Sequence, residues 1–356
     1  MYEVRDTNGQ LLMYLQNCTS IQWHSKYAET GSFEIHARPS TDNLLYLKKW
    51  NHIICHDKYK LEIGFIYYVE HSSDGMEIIV KGYTDFLQSI INLNTATIKD
   101  TASIGALINN NNRFGLYDLS FDSDASVDVK LENSFDTTYK TLQDTLSSFC
   151  DETDCGWKLY STYKGLQLRI YKGNKQTSAR FSDLYGNLLE QQLIEDWSTF
   201  KNIAYVFGEE KEDKTRASVV VNLKQAGDPS LELYVDARDL QSTYKDSSGV
   251  EHTYTEQQYN NMLAQRGAEK LLETRKDATK FKFKIEPDNS ICSLGVDFVL
   301  GDVVPIISKR FGLSIWARVI GVDYVEEAKK KNDVSLTIDI LKMEAIKYES
   351  DSISLE

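Results

Sequence analysis

Leu294-Gly295-Val296-Asp297-Phe298-Val299-Leu300, then Gly301-Asp302, then Val303-Val304-Pro305-Ile306-Ile307, is the stretch from which the fold is read. Leu294, Val296, Phe298 and Leu300 recur at every second position, the spacing of a strand with one buried face. Gly301-Asp302 breaks that run and a second begins. Pro305 has no N–H to give to a ladder, which places its strand at an edge or beside a bulge. Leu313 to Val325 reads as a third strand, apolar on both faces, with Gly321 as its bend. A charged turn from Glu326 to Asp333 leads to a last strand. Val334, Leu336, Ile338 and Ile340 lie on one face of it, and Ser335, Thr337 and Asp339 on the other. Strands this short, joined by turns, predict a small antiparallel barrel or half-barrel over residues 289–356.

Residues 1–95 read in the same way. Ile21 and Trp23 alternate with Gln22 and His24, and Phe33, Ile35 and Ala37 alternate with Glu34 and His36. A helical turn is expected over Asp42–Trp50. Strands at Leu61–Glu70 and Met76–Tyr83 flank the hairpin turn Ser72-Ser73-Asp74-Gly75.

The middle differs. Over 96–185, Ser103–Asn109 reads as a helix. Leu142, Leu146, Phe149 and Cys150 share one face of another, with Asp136 as its cap and Gly156 as its stop. Trp157–Tyr160 and Leu166–Tyr171 form a hairpin across Lys164-Gly165. Over 186–288, strands at Ile203–Phe207 and Ser218–Val221 precede the clearest helix of the chain, from Glu256 to about Lys276. Thr255 and Gln258 make its capping box, each side chain satisfying a backbone N–H left open at the helix start. The expected class is α+β, with two small β-barrel modules (1–95 and 289–356) bracketing two α/β modules (96–185 and 186–288).

Composition sets limits on function. The 356 residues carry 40 Lys and Arg against 53 Asp and Glu, a net charge of −13. Duplex nucleic acid calls for clustered cations and is a poor match. No apolar run reaches the roughly 18–20 residues that span a bilayer, and Met1 to Asp6 lacks the basic and apolar regions of a secretory signal. Five cysteines, an odd number and widely spaced, read as free thiols. Twenty-one tyrosines suit extensive protein contacts.

Each candidate for chemistry has a plainer reading. His52, Cys55, His56 and His71 lack the paired spacing of a zinc site, and Cys55 and His56 point to opposite faces of one strand. Asp122, Asp124 and Asp128 open like a calcium loop, but Val127 stands where that loop needs glycine and Asn133 where it needs glutamate. Cys150 and Cys155 could bridge, though reduced thiols fit the absent signal better. Lys329-Lys330-Lys331 reads as a solvated hairpin tip. Asn17-Cys18-Thr19 fits a glycosylation sequon without a secretory context. No nucleophile elbow, metalloprotease helix, phosphate loop or dinucleotide turn occurs. No metal or cofactor is expected.

Trp23 with Gly31-Ser32-Phe33-Glu34-Ile35 resembles the N-terminal signature of long-tailed phage baseplate hub proteins. So do Phe181-Ser182-Asp183-Leu184-Tyr185-Gly186-Asn187-Leu188, Lys201-Asn202-Ile203-Ala204-Tyr205-Val206-Phe207-Gly208, Tyr259 to Leu271, and Leu300-Gly301-Asp302-Val303-Val304 with its downstream strands. The resemblance is to the siphophage tail-tip hub, the N-terminal portion of tail-associated lysins. It implies a homotrimer whose barrels make a pseudo-sixfold ring joining the sixfold tail tube to a threefold tip. The implied place is the virion tail tip, after synthesis in the host bacterial cytoplasm. The implied partners are the distal tail protein ring or tube end, a tip fibre or receptor-binding protein, and the tape measure protein. DNA would pass through without specific binding, which suits an acidic chain, although many soluble proteins are equally acidic. The chain ends at Glu356 without the extension that carries a peptidase or a carbohydrate-binding part in many members, so any such activity is expected on a separate chain or a removed segment. A cell-wall hydrolase and a receptor- or glycan-binding tip module are the alternatives. Phe33 and Ile35 on their strand, with Arg310, Phe311 and Trp316, are the candidate interface residues.

Overall fold

The computed structural model describes residues 1–56, 61–73, 75–112, 118–162, 165–210, 214–245, 250–274, 279–285, 292–328, 330, 332–339 and 344–345. The chain forms two compact units, a larger one of Met1–Gln192 with Phe281–Glu356, and a smaller one of Leu193–Lys280. The expected boundaries near 95 and 185 fall inside the larger unit, and the boundary at 288 lies outside the described residues.

In the larger unit, β1 (Tyr2–Arg5) and β2 (Leu11–Tyr14) pair as a hairpin. The Asp6 carboxylate accepts the N–H groups of Asn8 and Gln10 across its turn. β3 (Cys18–Lys26) and β4 (Ser32–Ala37) bury the face read from the sequence: Ile21 and Trp23 on one strand, Phe33, Ile35 and Ala37 on the other. The expected helical turn is α1 (Thr41–Tyr46), capped by the Ser40 hydroxyl on the Asn43 N–H. β5 (His52–His56), β6 (Leu61–His71) and β7 (Ile78–Tyr83) complete this part; Asp74, in the expected hairpin turn, lies outside the described residues. The Phe33 ring lies across Gly64 of β6 and Gly82 of β7. A Cβ on those glycines would come within 2.5 and 2.4 Å of it, so the two bare backbones form the slot that holds the ring.

β8 (Thr97–Asp100) runs into α2 (Thr101–Asn110), where Asp100 and Ser103 make a capping box. β9 (Leu119–Phe121), β10 (Lys130–Asp136), α3 (Leu142–Thr153), β11 (Gly156–Thr162) and β12 (Gly165–Tyr171) follow. α3 buries Leu142, Leu146, Phe149 and Cys150, the face read from the sequence, but its ends differ. Asp136 lies on β10 and accepts from the Thr97 hydroxyl at 2.7 Å. The cap is Thr141, whose hydroxyl accepts the Asp144 N–H. Asp154, left-handed at φ 57°, ends the helix, and Gly156 already opens the next strand. The hairpin of β11 and β12 has β9 parallel on its other side. These elements share one core with Ile63, Phe65 and Phe86 from the sheet side. β13 (Phe181–Ser182) and β14 (Leu189–Glu195) end this stretch.

In the smaller unit, β15 (Ile203–Glu210) lies between antiparallel β16 (Arg216–Asn222) and parallel β17 (Glu232–Asp236). β18 (Thr243–Lys245) and β19 (Glu251–Thr253) pair as a hairpin. α4 (Glu256–Glu273) starts at the expected box of Thr255 and Gln258. Its Tyr259, Leu263 and Leu271 pack on Ala204, Val206 and Val235, covering one face of the sheet. Gly267 permits this approach, since a Cβ there would stand 2.6 Å from Val206.

The chain then returns through β20 (Thr279–Ile285), β21 (Val303–Ser308), β22 (Leu313–Glu327), β23 (Asp333–Asp339) and β24 (Glu344–Ala345). Leu294–Leu300 is not the strand its alternation predicts. Gly295 is left-handed at φ 80°, Val296 is 83% exposed, and Leu294 and Phe298 are buried four residues apart across a turn. β22 changes partners along its length. Leu313–Arg318 pairs with β21, and Val319–Val325 pairs with β23 across a register shift at Gly321, the expected bend. Its other edge pairs with β3, from Gly321–Lys26 to Glu327–Ser20. This pairing joins the two modules expected to be separate barrels. The first and last segments join one 14-stranded sheet whose main path runs β14-β20-β23-β22-β3-β4-β7-β6-β5-β1-β2, and no closed barrel forms among the described residues.

Candidate functional site

The structure does not bring the five expected interface residues together. Phe33 and Ile35 are core residues, 2% and 0% exposed. β4 is hydrogen-bonded on both sides, by β3 and β7, so it offers no free edge. Arg310 is exposed in the turn after β21, where the Asp183 carboxylate accepts the backbone N–H of Lys309 at 2.5 Å. Phe311 packs edge-on against Phe281 at 5.6 Å, under the turn and not out of it. Trp316 is half-buried, opposite Pro305 in the ladder, with the Lys175 ammonium 4.3 Å from its ring centre.

Asp122 and His56, among the titratable groups flagged in the sequence, have charged partners. Asp122 pairs with Arg169 at 2.7 Å and also accepts the Ala125 N–H. His56 faces Glu3 at 3.4 Å, while burial pushes the His52 imidazole down to about 4. Cys150 and Cys155 are both buried and no disulfide joins them. Among the described residues no group of His, Cys, Asp and Glu is arranged to hold a metal. Lys329 and Lys331 lie outside the described residues.

A cluster of polar groups lies in the larger unit, between the sheet and the layer of β11. A cavity of about 20 Å³ there is lined by Ser25, Glu62, Thr84, Asp85, Trp157 and Lys158, space for about one water molecule. Glu62 accepts from the Trp23 indole at 2.5 Å and the Ser25 hydroxyl at 2.7 Å, with Lys158 at 3.5 Å. Asp85 accepts from the Thr30 hydroxyl at 2.9 Å, the Leu87 N–H at 3.1 Å and the Trp157 indole at 3.2 Å. Burial still pushes its carboxyl above the usual range. Two acids lining one space could do proton chemistry. Here each is occupied by fixed donors, and the arrangement ties two layers together.

A second polar cluster covers the outer face of the sheet. His36 on β4 lies between Glu34, at 2.8 Å, and Glu77, at 3.1 Å, and Glu34 also takes Lys81 at 2.8 Å. Burial opposes charge on His36, but its bonds to the two glutamates outweigh this and hold its pKa above the usual histidine value. A raised folded pKa gives stability that is complete below about pH 6.5 and is lost as pH rises through the folded value. We expect the stability difference between the natural chain and His36→Gln to shrink between about pH 6 and 9. Urea midpoints across that range check this, and a constant difference would refute it.

This mostly β chain, with few helices and one long open sheet, has the fold of phage tail proteins. It aligns over 95% of its length with 98% of the 43 kDa tail protein of prophage MuSo2 from Shewanella oneidensis, at TM-score 0.59 and 10% identity. It also aligns over 95% of its length with 95% of a tail protein from Neisseria meningitidis MC58, at TM-score 0.59 and 13% identity. No curated protein matches it. Residues 116–338 match the family described as siphovirus ReqiPepy6 Gp37-like protein, and the chain belongs to that family.

Proposed function

We propose that the chain is the hub of the tail baseplate, a homotrimer that adapts the sixfold tail tube to a threefold tip. Its partners in this reading are the distal tail ring or tube end, the tape measure protein, and a tip fibre or receptor-binding protein. The observation that carries the reading is the continuous sheet that draws in both ends of the chain through β3 and β22. Among the described residues its terminal strands, β2 and β14, are each hydrogen-bonded on one side only. An adapter of this kind needs two strand-built edges per copy, so that three copies offer six comparable contacts. The two edges here belong to one sheet and not to two barrels, so the pseudo-sixfold contacts would come from opposite ends of that sheet.

Sedimentation equilibrium of the full chain is expected to give three times the chain mass, with binding to isolated tail-tube ends. A chain that stays monomeric at high concentration and ignores tube ends would overturn the hub reading.

A further inference from the structure

Among the described residues the sheet of the smaller unit is covered by α4 on one face, and its other face carries an apolar row made mostly of aromatic rings. Val220, Tyr205 and Tyr234 are in register on β16, β15 and β17. They are 56%, 36% and 61% exposed. Phe207 stands next along β15, with its ring centre 5.5 Å from that of Tyr234. Unpaired sheet faces in soluble proteins carry polar side chains at these positions, so an apolar row here calls for a specific occupant.

The polar atoms around the row identify what that occupant offers. The Tyr205 hydroxyl donates to Glu232 at 3.2 Å, and Arg216 donates to the Tyr234 hydroxyl at 3.1 Å and to Asp236 at 2.8 Å. Arg238 pairs with Asp236 at 2.6 Å. The rings are therefore fixed at their tips, with the residues still open to solvent. Two guanidinium groups balance two carboxylates, so the rim carries no net charge, on a chain whose net charge is −13. Nucleic acid also stacks on aromatic rows, but it needs a positive groove to hold its backbone. A neutral saccharide needs no such groove. Its polarised C–H groups suit the negative faces of aromatic rings, and its hydroxyls can use the lone pairs that Glu232 and Asp236 have left.

We propose that this face is a binding platform for a neutral saccharide, with Tyr205 and Tyr234 as the stacking residues and Glu232, Asp236 and Arg216 as the polar rim. The proposal rests on the geometry of this unit and stands apart from the hub reading.

The test is calorimetric titration of the full chain with three neutral probes: cellohexaose, maltohexaose and hexa-N-acetylchitohexaose. Binding of at least one is expected. It should weaken about tenfold or more in Tyr234→Ala and in Tyr205→Ala, in line with the loss of a stacking ring. It should stay unchanged in Tyr139→Ala, an exposed tyrosine of the larger unit. Circular dichroism establishes that the variants are folded. Binding to none of the three probes would overturn the proposal. So would binding that survives Tyr205→Ala and Tyr234→Ala together, or a preference for oligo-dT over all three sugars.

Discussion

Trp23→Ala is expected to destabilise the larger unit by about 3–5 kcal/mol, the usual cost of deleting a buried aromatic side chain. Trp23 is fully buried on β3, stacked on Phe33 at 4.9 Å with the planes 14° apart, and Tyr2 lies 6.2 Å away. The surroundings cannot collapse into the space, because Phe33 is already held in its slot over Gly64 and Gly82. The substitution has a second cost, since the indole N–H donates to the buried Glu62 carboxylate. Leaving a buried acceptor short of a donor costs about 1–3 kcal/mol. Trp23→Phe isolates most of the second effect, as it keeps most of the apolar contact and removes the donor. It should fall in that smaller range. Urea unfolding followed by circular dichroism reads both variants. A loss below about 1 kcal/mol for Trp23→Ala would show that the sheet core does not depend on this ring.

The same ring illustrates how far the sequence could be read. Alternation correctly gave the buried faces of β3, β4 and β23, because period two is a local property of a strand. The box of Thr255 and Gln258 gave the start of α4 for the same reason: its signal lies within four residues. Partner choice is not local. β3 pairs with β22 across some three hundred positions, and nothing in either run names the other, so the two ends read as separate barrels. Phe33 read as an interface candidate because the slot that buries it is made by glycines on two other strands. Leu294 to Leu300 misled for another reason, since residues at every second position also contain the four-residue spacing that a turn can bury. Gly295 and Gly301 were the available warning, as both adopt a positive φ. Tyr205 and Phe207 alternate with Ala204 and Val206, so both faces of β15 are apolar. A three-stranded sheet with a single helix covers only one of them, and that mismatch could have pointed to the aromatic row before any coordinates.

Asp154→Asn is expected to cost about 3 kcal/mol, within the range for breaking a buried ion pair by removing one partner. Arg318 projects from β22 and pairs with Asp154 through two nitrogens, one at 3.1 Å. It also donates to the Gly301 carbonyl and lies 5.2 Å from the centre of the Tyr27 ring. Tyr27 in turn donates to the carbonyls of Asp154 and Tyr171 at 3.3 Å. One guanidinium thus joins the end of α3, the turn before β21 and the end of β3. The two partners are unequally buried: the Arg318 side chain is 8% exposed and that of Asp154 37%. That difference fixes the order of the effects. Removing the carboxylate leaves a charge that water cannot reach, whereas Arg318→Met keeps the apolar stem and leaves a carboxylate that water can still solvate. Asparagine tolerates the left-handed backbone of Asp154, so Asp154→Asn tests charge and not strain. Denaturation of both variants should therefore show Asp154→Asn as the more damaging. If Arg318→Met proves worse, the packing of the side chain and its bond to Gly301 hold this junction, and the ion pair does not.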